Sequence, residues 1–229
     1  MKTIRFCPRI SNKERMLTAP IPAKKNIAQW YKDGETYWKD ESGEHPGLKT
    51  CKPFIDIMIS GYYLVIPFDI HVSEDEQGKL NINWDGPEEW AGFVNERPAQ
   101  LGSTMPRPAG YRKNHLVWSS MWGWKTPRGW SSIVTHPFNR YELPFITASG
   151  LIDSDGFFGS GNIPFYLKDN FVGTIPAGTP YAQIIPIKRS RWNSFPDYGL
   201  IDGSEARSVD LRKEGHAYKN VEWFKKDYD

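Results

Sequence analysis

Ser149–Arg189, SGLIDSDGFFGSGNIPFYLKDNFVGTIPAGTPYAQIIPIKR, sets two acidic residues in a tight turn among strand-like runs and a second turn. Gly150-Leu151-Ile152 is apolar and runs into Asp153, Ser154, Asp155 and Gly156, residue types whose side chains bond nearby backbone or tolerate left-handed angles. Ile163–Leu167 and Phe171–Ile175 predict strands, and Pro176-Ala177-Gly178 turns the chain into a third, Tyr181–Ile187. The expectation is a compact antiparallel unit with the rest of the chain built around it.

Working outward, the clearest pattern lies upstream. Tyr62, Leu64, Ile66, Phe68, Ile70 and Val72 are apolar at every second position, which predicts a half-buried strand with its even-numbered side chains inward. Leu80, Ile82 and Trp84 repeat the alternation beyond the polar turn Glu74–Lys79, so a long hairpin is expected. Pro53 predicts a short helix running to Ser60, with Gly61 placed to stop it. Thr3–Cys7 predicts a strand. Lys13–His45 is polar but carries Trp30, Tyr31, Tyr37 and Trp38; disordered segments are poor in aromatics, so it is expected to wrap the core with its rings inward. Pro87–Asn95 reads as a short helix and Glu96–Tyr111 as a loop. His115–Trp118 and Trp130–His136 are predicted strands, divided by a turn at Pro127 and Gly129, and Leu143–Thr147 leads into the opening stretch.

At 229 residues the chain is long enough for one core, burying roughly 70% of its unfolded surface. One compact domain is therefore expected, divided into a wrapping segment and hairpin (1–110), a core (111–190) and a tail (191–229). An aromatic fraction of 14% beside 18 Pro and 20 Gly favours short strands and many turns. The fold class that follows is mainly β, with α+β character at the edges and long aromatic-rich loops. The net charge is only +2, and Lys and Arg alternate with Asp and Glu, so no continuous basic face indicates nucleic acid. Cys7 and Cys51 are too few for a disulfide framework or a Cys-rich zinc site and read as free thiols of a reducing compartment. No apolar signal core or membrane-length stretch is present, so a soluble protein of the cytoplasm where it is made, with no membrane partner, is expected. Near the end, Ala217, Val221 and Phe224 fall on one helical face and predict a short amphipathic helix.

Gly150-Leu151-Ile152-Asp153-Ser154-Asp155, followed by Gly178, Ala182 and Gln183 in GTPYAQ, resembles the core motifs of the dUTP pyrophosphatase and dCTP deaminase superfamily. That resemblance implies a β-clip-like core and covers about forty residues. It also implies self-association, since relatives by this motif are commonly trimers that exchange C-terminal segments. Over the whole chain, LKTCKPFIDIMISGYY, WGWKTPRGWSSIVTHPFN and GTPYAQIIPIKRSRW resemble a family met in tailed-phage genomes and some bacteria, which implies a virion or assembly component.

In the superfamily the aspartate at the position of Asp153 orients and deprotonates the attacking water beside a magnesium-bound triphosphate. The resemblance therefore makes Asp153 the catalytic candidate, with magnesium needed only if hydrolysis is retained. Asp155, His136, Arg140, Gln183, Trp130 and Phe157 are the accompanying ligand-binding candidates. Each has a structural alternative. Asp153 and Asp155 can simply make an Asx turn; His136 and Arg140 can contact phosphate or be a strand-end histidine and a solvent-facing arginine. Gln183 can read a base or bond backbone. The Trp118, Trp122, Trp124 and Trp130 cluster can stack a ligand or fill the core. Asp69 and His71, two apart on one strand, can ligate a metal, but no third ligand is at hand, so a solvated outer face is expected.

Three departures separate the chain from the enzymes. Gly156 stands before Phe157 where the base-stacking tyrosine belongs; Thr135-His136-Pro137-Phe138-Asn139-Arg140 stands in place of the serine-bearing phosphate motif; and the Gly-rich closing arm is missing from the sequence. The expected function is a non-catalytic binding or assembly protein on a dUTPase-like scaffold. The alternative is a nucleotide-binding or nucleotide-hydrolysing enzyme with a remodelled pocket.

Overall fold

The alternation that begins at Tyr62 contains Pro67, and proline has no N–H to give to a strand ladder. In the computed structural model, which describes residues 2–9, 18–87, 92–97, 99–102, 104–158, 161–199 and 218–229, the run is accordingly split. The strands in chain order are β1 (Arg5–Pro8), β2 (Ile21–Pro22), β3 (Tyr37–Asp40), β4 (Gly43–Pro46), β5 (Tyr62–Val65), β6 (Ile70–Glu74), β7 (Leu80–Trp84) and β8 (Val94–Glu96). They continue with β9 (Leu116–Ser119), β10 (Trp122–Lys125), β11 (Trp130–Thr135), β12 (Phe145–Thr147), β13 (Gly150–Ile152), β14 (Asn162–Leu167), β15 (Gly173–Ile175) and β16 (Pro180–Lys188). Helices α1 (Gln29–Asp33) and α2 (Lys52–Ile59) precede the main sheets.

The fold is mainly β, built of several antiparallel sheets without a closed barrel. A five-stranded sheet has the order β13-β11-β16-β5-β2, a four-stranded one β12-β14-β9-β8 and a three-stranded one β15-β6-β7. The single long strand expected over Tyr62–Val72 is thus corrected to two, β5 beside β16 and β6 beside β7, in different sheets. The even-numbered side chains are inward on both sides of the break, Leu64, Ile66, Phe68 and Ile70 being at most 7% exposed, but β5 does not alternate: Tyr63 and Val65 are buried as well and Tyr62 is only half-buried. Ile66 is tied at the break, giving its N–H to the Thr179 carbonyl at 2.9 Å and accepting from the Gly178 N–H at 2.7 Å. The β6–β7 hairpin forms as expected, its turn closed by Asp75 Oδ1, which accepts the N–H groups of Gln77 and Lys79 at 3.0 and 2.7 Å.

The three runs of the opening stretch also separate. β14 pairs with β9 and β12, β15 with β6, and β16 with β11 and β5. The compact unit expected from 149–189 is therefore a set of strands that pass between layers. The layers meet on Trp118, which is fully buried, stacks on Phe165 with ring centroids 3.8 Å apart, and meets Phe145 edge-on at 5.0 Å. The core around it draws on Leu64 to Val72 as well as on residues beyond Leu116, so hairpin and core segments share one interior.

α2 starts as expected, with Pro53 in its first turn, where a missing N–H costs nothing. Gly61 follows at φ +69°, and a Cβ there would lie 2.0 Å from the Ile184 carbonyl oxygen, so the close pass of α2 over β16 requires glycine. Strands not anticipated in the sequence are β2, β3, β4, β8 and β10; the last, WGWK, pairs with β1.

Elsewhere the structure corrects local expectations. Of the rings between Lys13 and His45, Tyr31 is buried, but Trp30, Tyr37 and Trp38 are 38%, 39% and 46% exposed. β3 and β4 form a separate two-stranded hairpin, and Trp38 stacks on His45 across it. Of the helix expected over 87–95, residues 88–91 lie outside the described ones, Gly92 and Phe93 form a bend, and Val94 and Asn95 belong to β8. Near the C-terminus Ala217 lies outside the described residues, Tyr218–Glu222 is a single π-type turn, and Phe224 is 81% exposed. The residue that docks is Trp223, whose indole N–H donates to Asp56 at 2.7 Å beside a Lys226–Asp56 ion pair of the same length. The tail ends against the same chain, with Asp227 2.9 Å from Lys24 and the Asp229 carbonyl accepting from the Tyr62 hydroxyl.

Candidate functional site

β13 runs along the edge of the five-stranded sheet, and the SDG turn that follows alternates its side chains. Ser154 points inward and has no exposed surface; its hydroxyl is within 2.8 Å of Thr126 Oγ1 and 2.7 Å of Ser132 Oγ. With Ser154 pinned to the sheet, Asp153 and Asp155 project the other way, towards Arg189 just beyond β16. Arg189 grips Asp155 as a fork, Nη1 on Oδ1 at 2.8 Å and Nη2 on Oδ2, and the Gly129 N–H adds a bond of 2.7 Å. This guanidinium and that N–H hold the Asp155 carboxyl well below the usual carboxylate range. Asp153 is more open, its side chain 69% exposed against 10% for Asp155, and its Oδ1 accepts from the buried Ser131 hydroxyl at 2.6 Å and from Arg189 at 3.2 Å. Arg189 also donates to the Trp130 carbonyl at 3.2 Å.

His136, Arg140 and Gln183 form a second group. His136 Nε2 donates to the Arg140 carbonyl at 3.1 Å, while Nδ1 accepts the Thr147 N–H at 3.3 Å, which requires the neutral ring with its proton on Nε2. Arg140, read from the sequence as a phosphate contact or a solvent-facing arginine, is buried: its Nε bonds Glu142 and its Nη1 donates to the Asn26 carbonyl at 3.2 Å. Gln183 has no exposed surface, accepts the Phe138 N–H at 2.9 Å and donates to the Ser60 and Ile57 carbonyls at 2.6 and 3.0 Å.

The two groups sit at opposite ends of β11. Ser131 belongs to the Asp153 end, and Thr135, opposite Gln183, to the other. At about 3.3 Å per residue the ends of this strand lie roughly 17 Å apart. The structure therefore brings Asp153, Asp155 and Trp130 together and places His136, Arg140 and Gln183 elsewhere. Trp130 is half-buried and lines a cleft of about 360 Å³ with Tyr62, Thr126, Pro186 and the tail residues Asp227 to Asp229. Phe157 is 60% exposed. Of the remaining tryptophans, Trp118 and Trp124 fill the core.

Asp69 and His71 take separate partners. Asp69 accepts the Ala177 N–H at 2.7 Å, and His71 lies 2.9 Å from Asp85 and 3.1 Å from Thr174 Oγ1. Among the described residues no group of three or more His, Cys, Asp and Glu could hold a metal ion, and Cys7 and Cys51 are free and exposed. Sequence reasoning missed Ser131, Ser154 and Arg189. The hydroxyl run Ser131-Ser132 in an otherwise apolar strand, facing Asp153-Ser154, was the available signal.

Burial pushes the His136 pKa below its ordinary value of 6.5. The unfolded chain then binds a proton near pH 6.5 that the folded chain refuses, so stability falls as pH drops below 6.5 and continues falling until the lowered folded pKa is reached. Melting temperatures between pH 7.5 and 5.5 should show this slope, and His136→Gln, which cannot titrate, should flatten it. An equal slope in both proteins would remove His136 as its source. Asp155 acts only below this window: its lowered pKa makes its contribution disappear as pH falls below the ordinary carboxylate value.

No protein-family model matches the chain, and no curated protein matches it.

Proposed function

We propose that the chain is a non-catalytic binding or assembly protein, of the structural or accessory kind that the phage resemblance implies, using a dUTPase-like β scaffold. The observation that carries this reading is the division of the nucleotide-motif residues between two ends of β11, each group engaged by the chain itself. A pyrophosphatase needs its water-activating carboxylate beside the groups that hold the phosphates and base. Here Asp153 faces Arg189 and Ser131, and Gln183 is enclosed by backbone.

The surface offers aromatic rings instead. Beyond β16 an extended run presents Trp192, Phe195 and Tyr198 at 88%, 79% and 80% exposure, three residues apart. Exposed aromatic clusters are the anchors that protein interfaces use. A shallow apolar recess of about 380 Å³ lined by Trp30, Trp38 and Leu48 is a second such surface. Self-association through this arm fits the scaffold reading better than exchange of the last residues, which dock on their own chain.

One preparation tests both halves. With magnesium, the protein should neither hydrolyse dUTP nor deaminate dCTP, and in sedimentation it should form an assembly that Trp192→Ser with Phe195→Ser dissociates while the circular dichroism of the chain stays that of the native fold. Sustained turnover lost in Asp153→Asn would install the enzyme reading. A monomer at every concentration, in both proteins, would defeat self-association.

A further inference from the structure

Two concavities, neither lined by a candidate residue of the motif, adjoin through Lys113, Asn114 and His115. One, of about 480 Å³, is also lined by Lys79, Arg97 and Arg112; the other, of about 760 Å³, by Gln100, Met105 and Arg107. The cations come from separate stretches of chain: the β6–β7 turn, the residue after β8, and the segment leading into β9. No run of basic residues marks them in the sequence, because only folding gathers them.

The carboxylates nearby neutralise part of this set. Arg112 is paired with Glu74, and Arg107 lies 3.7 Å from Asp169. Lys79, Arg97 and Lys113 have no ion-pair partner among the described residues, and Glu96 is the remaining acid of the lining. Unpaired cations converging on a concave site raise the local concentration of anions. Lysine supplies point charge and arginine a fork, the combination that suits phosphate oxygens. Among the described residues the only ring lining either concavity is the His115 imidazole, so they offer little on which a base could stack.

We propose that this groove is a binding site for a compact polyanion of the phosphate class, a chain of two or more phosphate groups, held by Lys79, Arg97 and Lys113 with Asn114 and His115 as hydrogen-bonding partners. The site is independent of the scaffold reading and of Asp153. A free polyphosphate and the triphosphate of a nucleotide share this chemistry, and the experiment separates them.

Sodium tripolyphosphate should bind saturably in calorimetry at low ionic strength and weaken as salt is added. Lys79→Gln with Lys113→Gln should bind at least about tenfold more weakly, because each loses a charge-assisted bond. Glu96→Gln should bind more tightly, and Lys39→Gln, on the separate β3–β4 hairpin, should bind as the native chain does. Binding of dTTP equal to tripolyphosphate, retained in Asp153→Asn and lost in the groove variant, supports recognition of the phosphates alone. No saturable binding, undiminished binding in the Lys79/Lys113 variant, or equal weakening in Lys39→Gln would overturn the site. Tighter binding of a single-stranded oligonucleotide than of tripolyphosphate would overturn the compact ligand and install an extended one.

Discussion

Trp118→Ala should lower stability by about 3–5 kcal/mol, the range for deleting a fully buried large ring. For a chain of this size that corresponds to a fall of roughly 6–20 °C in melting temperature. The size of the effect follows from what the ring joins. Its face lies on Phe165 of β14, its edge meets Phe145 of β12, and it approaches Phe93 and Tyr181 from two further directions. Its indole N–H reaches Thr147 Oγ1 at 3.3 Å, and that hydroxyl donates to the Tyr181 carbonyl at 2.6 Å. The polar link therefore runs from the four-stranded sheet to β16 of the five-stranded one. Truncation leaves a cavity between two layers whose backbones are fixed by their own ladders, so little collapse can relieve it. Trp192→Ala, on a side chain 88% exposed, should stay within about 0.5 kcal/mol of the native chain when both are melted as monomers. Thermal melts of both variants check the contrast; similar losses would mean that Trp118 does not organise the core.

The difference between these two tryptophans was not legible in the sequence, although much of the fold was. Alternation exposes burial directly, because a strand puts every second side chain on one face, so Leu64, Ile66, Phe68 and Ile70 could be assigned to the interior without knowing their partners. Pairing is another matter. It depends on where each strand goes after its last residue, and Pro67 redirects the chain from one sheet to another with no change in the hydrophobic pattern. The acidic turn was legible as a turn, and pairing with an unspecified arginine was foreseeable. That the arginine is Arg189 was not, because 34 positions of chain, including strands of two other sheets, intervene before it returns beside Asp155. The basic groove is harder still, since Lys79, Arg97 and Lys113 are interleaved with acids in the chain and separated from them only in space.

Gln183 gives the sharpest division between scaffold and nucleotide pocket. In the resembled enzymes the glutamine at this position lines the nucleotide site, so its amide would be turned outward to a ligand. Here it closes the end of α2. A helix leaves its last carbonyls without partners, and Gln183 Nε2 donates to the Ile57 and Ser60 carbonyls while Oε1 accepts the Phe138 N–H. Gln183→Leu keeps nearly the same volume but orphans an N–H and strips a donor from the helix end, in a place with no exposed surface. Each buried group left unsatisfied costs roughly 1–3 kcal/mol, so a total loss of about 2–5 kcal/mol is expected. Gln183→Glu should fail as well, since a carboxylate cannot donate to the carbonyls. Amide hydrogen exchange locates the effect: the Phe138 N–H and the amides at the end of α2 should lose protection before those of β11 or β14. If Gln183→Leu instead melts with the native chain and loses affinity for a deoxynucleotide, the amide faces a ligand, and the chain belongs with the nucleotide-binding proteins that its motif resembles.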